Sequence, residues 1–431
     1  MNTLIRNGYL LTMDGNDRDF KGGCVAIENG RISYVGEEAG LPPSFTARKI
    51  IDAGGSVVMP GFVNAHTHLA MTLLRGYGSD LNLQDWLEKK VWPAENRLVK
   101  GHCYWGSMLG LAEMIRGGTT AFLDMYFFME ETARAVDETG MRATLSRGIV
   151  GIAPSFERAM AESETLFRDF NGAADGRLTV LLAPHAEYTN SDATMRKIME
   201  LAHKLNTGIN IHVQETIAET EGCYKRYGVS PTEWLEHLGV FARHTVAAHC
   251  VTVNERDIEI LASRGVSVAS NPGSNMKLAS GIAPVTELMK AGVNLALGTD
   301  GASSNNNLDM LEETRLAALC AKARTLDPSA VSVREALRMA TAGGAKALGI
   351  DTITGSIEVG KDADIIVFRG NSPSMHPRID PMSNVVYSAG SSDVSMTMVK
   401  GRILMENSEL VAMDLDRIFY EVGKISAEIC S

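Results

Sequence analysis

The sequence predicts an α/β protein: a (β/α)8 TIM barrel with a second, smaller β-sandwich-like domain built from both termini. Three observations carry that expectation. In the middle of the chain, short apolar runs alternate with longer amphipathic stretches, and eight such units are what a barrel needs. The two ends share a different texture, β-branched runs broken by Asn-Gly and Gly-Gly turns. The length, 431 residues, suits one barrel of roughly 250–300 residues plus a smaller partner. The implied boundaries are 1–57 for the first part of the small domain, 58–353 for the barrel, and 354–431 for the second part with a terminal helix.

At the N-terminus, "TLIRNGYLLTM", "GGCVAIENGRISYVGE" and "RKIIDAGGSVVMPG" read as strands, and "IENGRISYVG" as a hairpin turning at Asn29-Gly30. The eight central runs are "VVMPGFVNAH", "GTTAFLDMY", "RATLSRGIV", "LTVLLAPHAEY", "TGINIHVQE", "HTVAAHC", "GVSVASNPGSN" and "VNLALGTDGAS". Helices lie between them. "HCYWGSMLGLAEMIRGG" aligns Trp105, Met108, Leu109, Ala112 and Ile115 on one face and stops at Gly117-Gly118. "SDATMRKIMELAHKLNTG" and "NERDIEILASRG" each carry an N-cap candidate and a glycine stop. Near the C-terminus, "GSIEVGKDADIIVF" and "VSMTMVKGRILMEN" again read as strand, turn, strand. A doubly wound open sheet is the runner-up, but no Gly-rich phosphate loop supports it.

Composition narrows the function classes. Hydrophobic residues make up 45% and charged residues 22%, the range of a soluble globular enzyme. A net charge of -11 repels phosphate backbones, so no nucleic-acid partner is expected. No run approaches the roughly 18 apolar residues of a membrane span. The N-terminal stretch lacks the apolar core of a signal peptide, and the six cysteines contain no CxxC; both features predict a cytoplasmic protein with reduced thiols.

The chemistry gathers at the ends of the apolar runs. His66 and His68 are two apart, so on a strand both side chains face the same side. An isolated HxH is more often an ordinary polar strand end than a metal pair. His212 ends a later strand and Asp300 another, where an unpaired carboxylate is costly and a cation offsets that cost. Asp300 also suits capping a helix near Asn306, but Ser303, Ser304 and the asparagines can serve there. Three nitrogens and one carboxylate leave a position for water, which marks a catalytic rather than structural site. One divalent metal is expected, zinc or ferrous iron. A second metal in such barrels often uses a modified lysine on strand four, and "LTVLLAPHAEY" has none. Glu215 is the expected general acid/base; His249 assists proton transfer, and Asp300 doubles as ligand and base. Glu219 and Glu221 read as helix-start carboxylates, and His102, His203, His237, His244 and His376 as structural or exposed.

With these residues in place, the chain resembles the amidohydrolase superfamily, and within it the 5-methylthioadenosine/S-adenosylhomocysteine deaminases. The resemblance rests on "PGFVNAHTH", "LQDWLEKKVWPAENRL", "RGGTT", "APHAEYT", "IHVQET", "AAHC", "NPGSNMKLASGIAPV", "LGTDGASSNNNLDM" and "GKDADIIVF", nearly the whole chain. It implies hydrolytic deamination of a small-molecule nucleoside: S-adenosylhomocysteine, 5′-methylthioadenosine, 5′-deoxyadenosine or adenosine. It matches His66, His68, His212 and Asp300 to metal ligands, Glu215 to the acid/base and His249 to its neighbour. It also matches His185 to a purine contact, Glu95 to the ribose hydroxyls and Arg147 to a homocysteine carboxylate. Trp86 would pack on the thioether side, and Arg158 would be a second arginine. Homo-oligomers are usual among such proteins. Glu187 departs from the pattern; it would either raise the His185 pKa or face solvent. The alternatives are hydrolysis of another aminated heterocycle (guanine, a pterin or a triazine) and a non-catalytic barrel.

Overall fold

A computed structural model describes residues 2–431. The terminal strands are β1 (Thr3–Leu11), β2 (Asp19–Glu28), β3 (Arg31–Glu37), β4 (Lys49–Asp52) and β5 (Val57–Pro60). The central ones are β6 (Phe62–Thr67), β7 (Thr119–Tyr126), β8 (Arg142–Ile149), β9 (Leu178–Val180), β10 (Ala183–Pro184), β11 (Ile209–Val213), β12 (Thr245–His249), β13 (Ser267–Ser270) and β14 (Asn294–Leu297). After them come β15 (Ile365–Phe368), β16 (Val394–Val399), β17 (Arg402–Glu406) and β18 (Glu409–Leu410).

Strands from both ends join one nine-stranded mixed sheet in the order β18-β17-β16-β15-β5-β1-β2-β3, with β4 on β1. The two termini meet where β15 runs antiparallel to β5. Asn29 and Gly30 both have positive φ at the β2–β3 turn, the conformation that an Asn-Gly hairpin turn requires. The run "VVMPGFVNAH" is two strands: β5 stays in the terminal sheet, and the chain changes sheets at Gly61 before β6. "GSIEVG" is not a strand; "IIVF" is the strand of that segment, and Asp362 adds a single antiparallel bridge to Arg31.

The central strands form two all-parallel sheets. One runs β10-β8-β7-β6 with β9 on β8, the other β11-β12-β13-β14. Parallel bridges Leu182↔Ile209 and Ala186↔His212 connect them on one side. On the other side, the Asp300 amide donates to the His66 carbonyl at 3.0 Å, and Asn64 exchanges hydrogen bonds with Thr299. These strands are buried on both faces, which explains their continuous apolar runs.

The connecting helices follow the expected capping with local departures. The helix Asp192–Leu205 starts on a Ser191 capping box but stops at left-handed Asn206, not at Gly208. The helix Glu255–Arg264 runs from Asn254 to Gly265. Helix Lys100–Arg116 buries Leu111, Met114 and Cys103 along with Met108, Ala112 and Ile115, while Trp105 and Leu109 are only half-buried. Its buried face is therefore wider than the periodicity indicated.

A buried ion cluster ties the terminal sheet to the central strands. Arg142 at the start of β8 donates from Nε to Asp364 at 3.0 Å and from Nη2 to Asp362 at 2.8 Å. Removing the cation leaves Asp364 without a cationic partner and Asp362 with only the exposed Arg31, 3.7 Å away, at a cost of about 3–5 kcal/mol. Arg142→Leu is expected to lower the thermal and urea midpoints clearly. Unchanged midpoints would mean that the cluster adds nothing to stability.

Candidate active site

The strand ends place their polar side chains together. His66 and His68 leave β6 on one face, and the His66 and His68 Nε2 atoms lie 3.4 and 3.2 Å from Asp300 Oδ1. His212 Nε2 is 3.3 Å from His68 Nε2. Two groups of candidate ligand atoms result, His66–His212–His249 and His66–His68–Asp300, each mutually within 4.8 Å. Backbone carbonyls orient the outer nitrogens: His68 Nδ1 bonds the Met125 carbonyl at 2.5 Å and His212 Nδ1 the His185 carbonyl at 2.7 Å. This leaves both Nε2 atoms for the site, as a ligand's supporting partner does.

The backbone is shaped for this convergence. His249 and Asp300 both adopt left-handed φ, 72° and 57°, a region uncommon for residues other than glycine and tolerated best by Asn, Asp and His. Gly298 lets the end of β14 close on β6, since a Cβ there would lie 2.7 Å from the His66 carbonyl and 2.4 Å from Asn271 Oδ1. Asp300 does not cap a helix near Asn306. Its Oδ2 accepts from Ser274 and Ser304, both at 2.7 Å, and the next helix, Met310–Thr325, is capped by Asp309.

Burial governs the charges. It lowers the His66 pKa to about 4, that of His185 to about 4, and that of His212 well below the imidazole range. In His68 burial acts the same way, but Asp300 and the Met125 carbonyl outweigh it and raise the pKa to about 9. Burial also works to raise the Asp300 carboxyl, yet His66 and His68 hold it well below the usual carboxylate range. Among the described residues, neither ring nitrogen of His66 makes a hydrogen bond, although the side chain is wholly buried. Such orphaned donors and acceptors are expensive, and a divalent cation among three imidazoles and a carboxylate would satisfy one of the two nitrogens. The donor set fits the expected metal.

Glu215 is buried beside this cluster, with Oε2 3.7 Å from His249 Nε2. Burial raises its pKa, Asp300 adds to the shift, and His249 and His68 oppose it. His249 Nδ1 donates to Asn275 Oδ1 at 2.8 Å, turning Nε2 toward Glu215. Glu219 is more than a helix-start carboxylate: its two oxygens accept the backbone N–H groups of Gln214 and Glu215 at 3.1 and 2.8 Å. It fixes the turn that presents Glu215. Asn275 and Ser274 were not singled out from sequence, where the "NPGSN" run carried them only as pattern, and Ser304, expected as a helix cap, instead bonds Asp300.

The remaining predicted residues divide. Glu95 ends the short helix Trp92–Glu95 and is half-buried. Burial pushes its carboxyl up to about 7, against Tyr126, His68 and Arg147. Trp86 is buried at the end of helix Leu83–Trp86. Arg158 does not join the cluster; its side chain is 72% exposed and its partner is Glu162. Glu187 neither faces solvent nor raises His185. It is buried and takes both oxygens to Arg226 Nη2, at 2.9 and 2.6 Å.

Parallel strands whose ends gather histidines and a carboxylate define a metal-binding hydrolase, and residues 57–404 match the model of the amidohydrolase family. The chain belongs to that family. It is 46% identical over 426 residues to the 5-methylthioadenosine/S-adenosylhomocysteine deaminase of Desulforamulus reducens, covering 99% of this chain and 98% of the relative. It is 47% identical over 428 residues to the 5′-deoxyadenosine deaminase of Methanosarcina acetivorans, covering 99% and 98%. The crystal structure of a zinc-bound adenosine deaminase from Xanthomonas campestris superposes with a TM-score of 0.95 at 35% identity, covering 99% and 98%. Among the described residues no helix is long and apolar enough to cross a membrane.

Proposed function

We propose that the chain is a metal-dependent hydrolytic deaminase of an adenosine derivative, releasing ammonia and the inosine analogue. One observation carries the reading: Glu215 lies 3.7 Å from His249 beside a cluster in which His66 and His68 Nε2 are 3.4 and 3.2 Å from Asp300 and His212 Nε2 is 3.3 Å from His68 Nε2. The architecture proposed with it is a closed eight-stranded barrel, β9 and β10 counting as one strand, covering residues 58–353. The β-sandwich-like domain would take 1–57 and 354–431, with β5 completing its sheet. The names of the similar deaminases support a nucleoside substrate.

His66, His68, His212 and Asp300 would hold one divalent ion, proposed as zinc. Such an ion lowers the pKa of a bound water to about 7. Glu215 takes a proton from the attacking water and delivers it to N1 of the adenine ring. The oxygen bonds to C6, and N1 protonation keeps negative charge off the ring. His249, its Nδ1 held by Asn275, presents Nε2 to the second proton, with Asp300 as its acceptor. The C6–N bond then breaks and ammonia leaves with that proton. Glu95 would hold the ribose hydroxyls, His185 the purine, and Trp86 the apolar 5′ side. The free cysteines support a cytoplasmic site of action.

The test is ammonia release by zinc-loaded protein from 5′-methylthioadenosine, 5′-deoxyadenosine, S-adenosylhomocysteine and adenosine, with guanine as comparison. Turnover of the nucleosides is expected. Release from guanine alone, or from none of them, would sink the proposal.

A further inference from the structure

Beside the histidine cluster lies a charge arrangement that the chemistry at C6 does not use: Arg147 pairs in register with Tyr126, whose ring is 6.4 Å from that of His68. Arg147 lies two residues before the end of β8, with its side chain only 7% exposed and its guanidinium over the Phe127 ring, 4.8 Å from the centroid. Nε donates to Glu162 Oε2 at 2.8 Å, and Nη1 donates to the Gly148 carbonyl. Glu162 lies on the helix Phe156–Phe170 that follows this strand. Its other oxygen, Oε1, is 3.5 Å from Arg158 Nε. One carboxylate thus sits between two guanidiniums.

A guanidinium recognises a carboxylate best through two parallel N–H groups, either Nε with one terminal nitrogen or both terminal nitrogens. In Arg147 each of those paired edges has already lost one member, the first to Glu162 and the second to Gly148. A substrate carboxylate would have to displace Glu162 or approach beside it. Like charges placed together in a partly desolvated site are strongly unfavourable. A methyl, methylthio or hydroxymethyl group meets neither obstacle, and the Phe127 ring offers it an apolar wall.

We propose that Glu162 is a specificity-determining residue: by neutralising Arg147 and Arg158 it tunes the 5′ subsite to adenosine derivatives whose 5′ substituent bears no carboxylate. This deepens the deaminase reading and rests on it. It also replaces the expectation that Arg147 and Arg158 are free to receive a homocysteine carboxylate.

The experiment compares kcat/KM for 5′-methylthioadenosine, its carboxymethylthio analogue and S-adenosylhomocysteine in wild type, Glu162→Gln and Glu162→Asp. Wild type is expected to favour the methylthio compound over the carboxymethylthio compound by at least about tenfold. Glu162→Gln is expected to narrow that ratio by about fivefold or more, and to narrow the ratio to S-adenosylhomocysteine as well. Glu162→Asp keeps the charge and stays closer to wild type. A wild type that prefers the anionic compound, or a Gln variant with an unchanged ratio, overturns the assignment. So does a Gln variant that selectively loses S-adenosylhomocysteine, because Glu162 would then be binding its ammonium. Failure of every adenosine derivative to release ammonia is a different result: it removes the deaminase reading itself. Glu162 is 43% exposed but pairs with the buried Arg147, so melting curves are recorded for both variants; a change in stability acts on all substrates alike and leaves the kcat/KM ratios as the readout.

Discussion

Glu215→Gln is expected to lower kcat for ammonia release by about 10²–10⁴-fold, the range for loss of a general acid/base. Glutamine keeps the size and one acceptor oxygen but cannot carry the proton from water to the ring. The interaction it removes exists only in the transition state, so kcat and kcat/KM should fall together while KM changes little. Glu215 belongs to neither group of converging ligand atoms, so metal content should match wild type. The pH profile supplies a second readout. Burial pushes the Glu215 carboxyl up, and only its ionised form can accept the first proton. Activity therefore falls as pH drops through that raised pKa, and the acid limb lies above the ordinary carboxylate range. In the Gln variant that limb disappears. Retention of more than about a tenth of wild-type kcat would remove Glu215 from the proton-carrying role.

What could be read in advance depended on whether a role shows in local pattern or only in long-range packing. The two-residue spacing of His66 and His68 directly encodes a shared face, and the apolar runs ending in His212, His249 and Asp300 mark strand ends. These positions needed only the alternation of strands and helices to be brought together. Glu95 had no such signal; it sits on a one-turn helix between a π-helical turn and a loop, and only the family resemblance singled it out. The partners of the cluster were invisible for a different reason. Asn275 reaches His249 across 26 residues, and Ser274 reaches Asp300 across the same interval. A polar residue in a short loop reads the same whether it caps a turn or braces a histidine. Glu187 and Glu162 show the limit most plainly. Each is a carboxylate near an expected substrate contact, and each is defined by an arginine elsewhere in the fold, Arg226 for one and Arg147 for the other. Charge identity is local, whereas charge pairing is tertiary.

The second large effect is expected from His66→Ala. His66 sits at the centre of the cluster, its ring 4.8 Å from that of His212, 5.0 Å from His68 and 5.5 Å from His249. It belongs to both groups of converging ligand atoms. Neither of its nitrogens makes a hydrogen bond, and its one charged neighbour is the Asp300 carboxylate at 3.4 Å, so a cation would make this buried imidazole tolerable. The variant should therefore fall from about one metal per chain to well below it. Activity should drop by more than the roughly 10–100-fold that follows loss of a supporting partner. Stability gives an independent measurement. A metal that binds the folded state alone stabilises it by RT ln(1 + M/Kd), with M the free metal concentration, so chelation should lower the wild-type melting temperature. His66→Ala has no bound metal to lose, and its melting temperature should not respond to chelator. It should also start below that of metal-loaded wild type. A variant that keeps full metal and melts with wild-type sensitivity to chelator would place the ion elsewhere. The Asp300 carboxylate would then be paired by His68 alone, the imidazole whose pKa it helps to raise to about 9. The hydroxyls of Ser274 and Ser304 add hydrogen bonds but no charge, because neutral donors solvate a buried carboxylate without neutralising it.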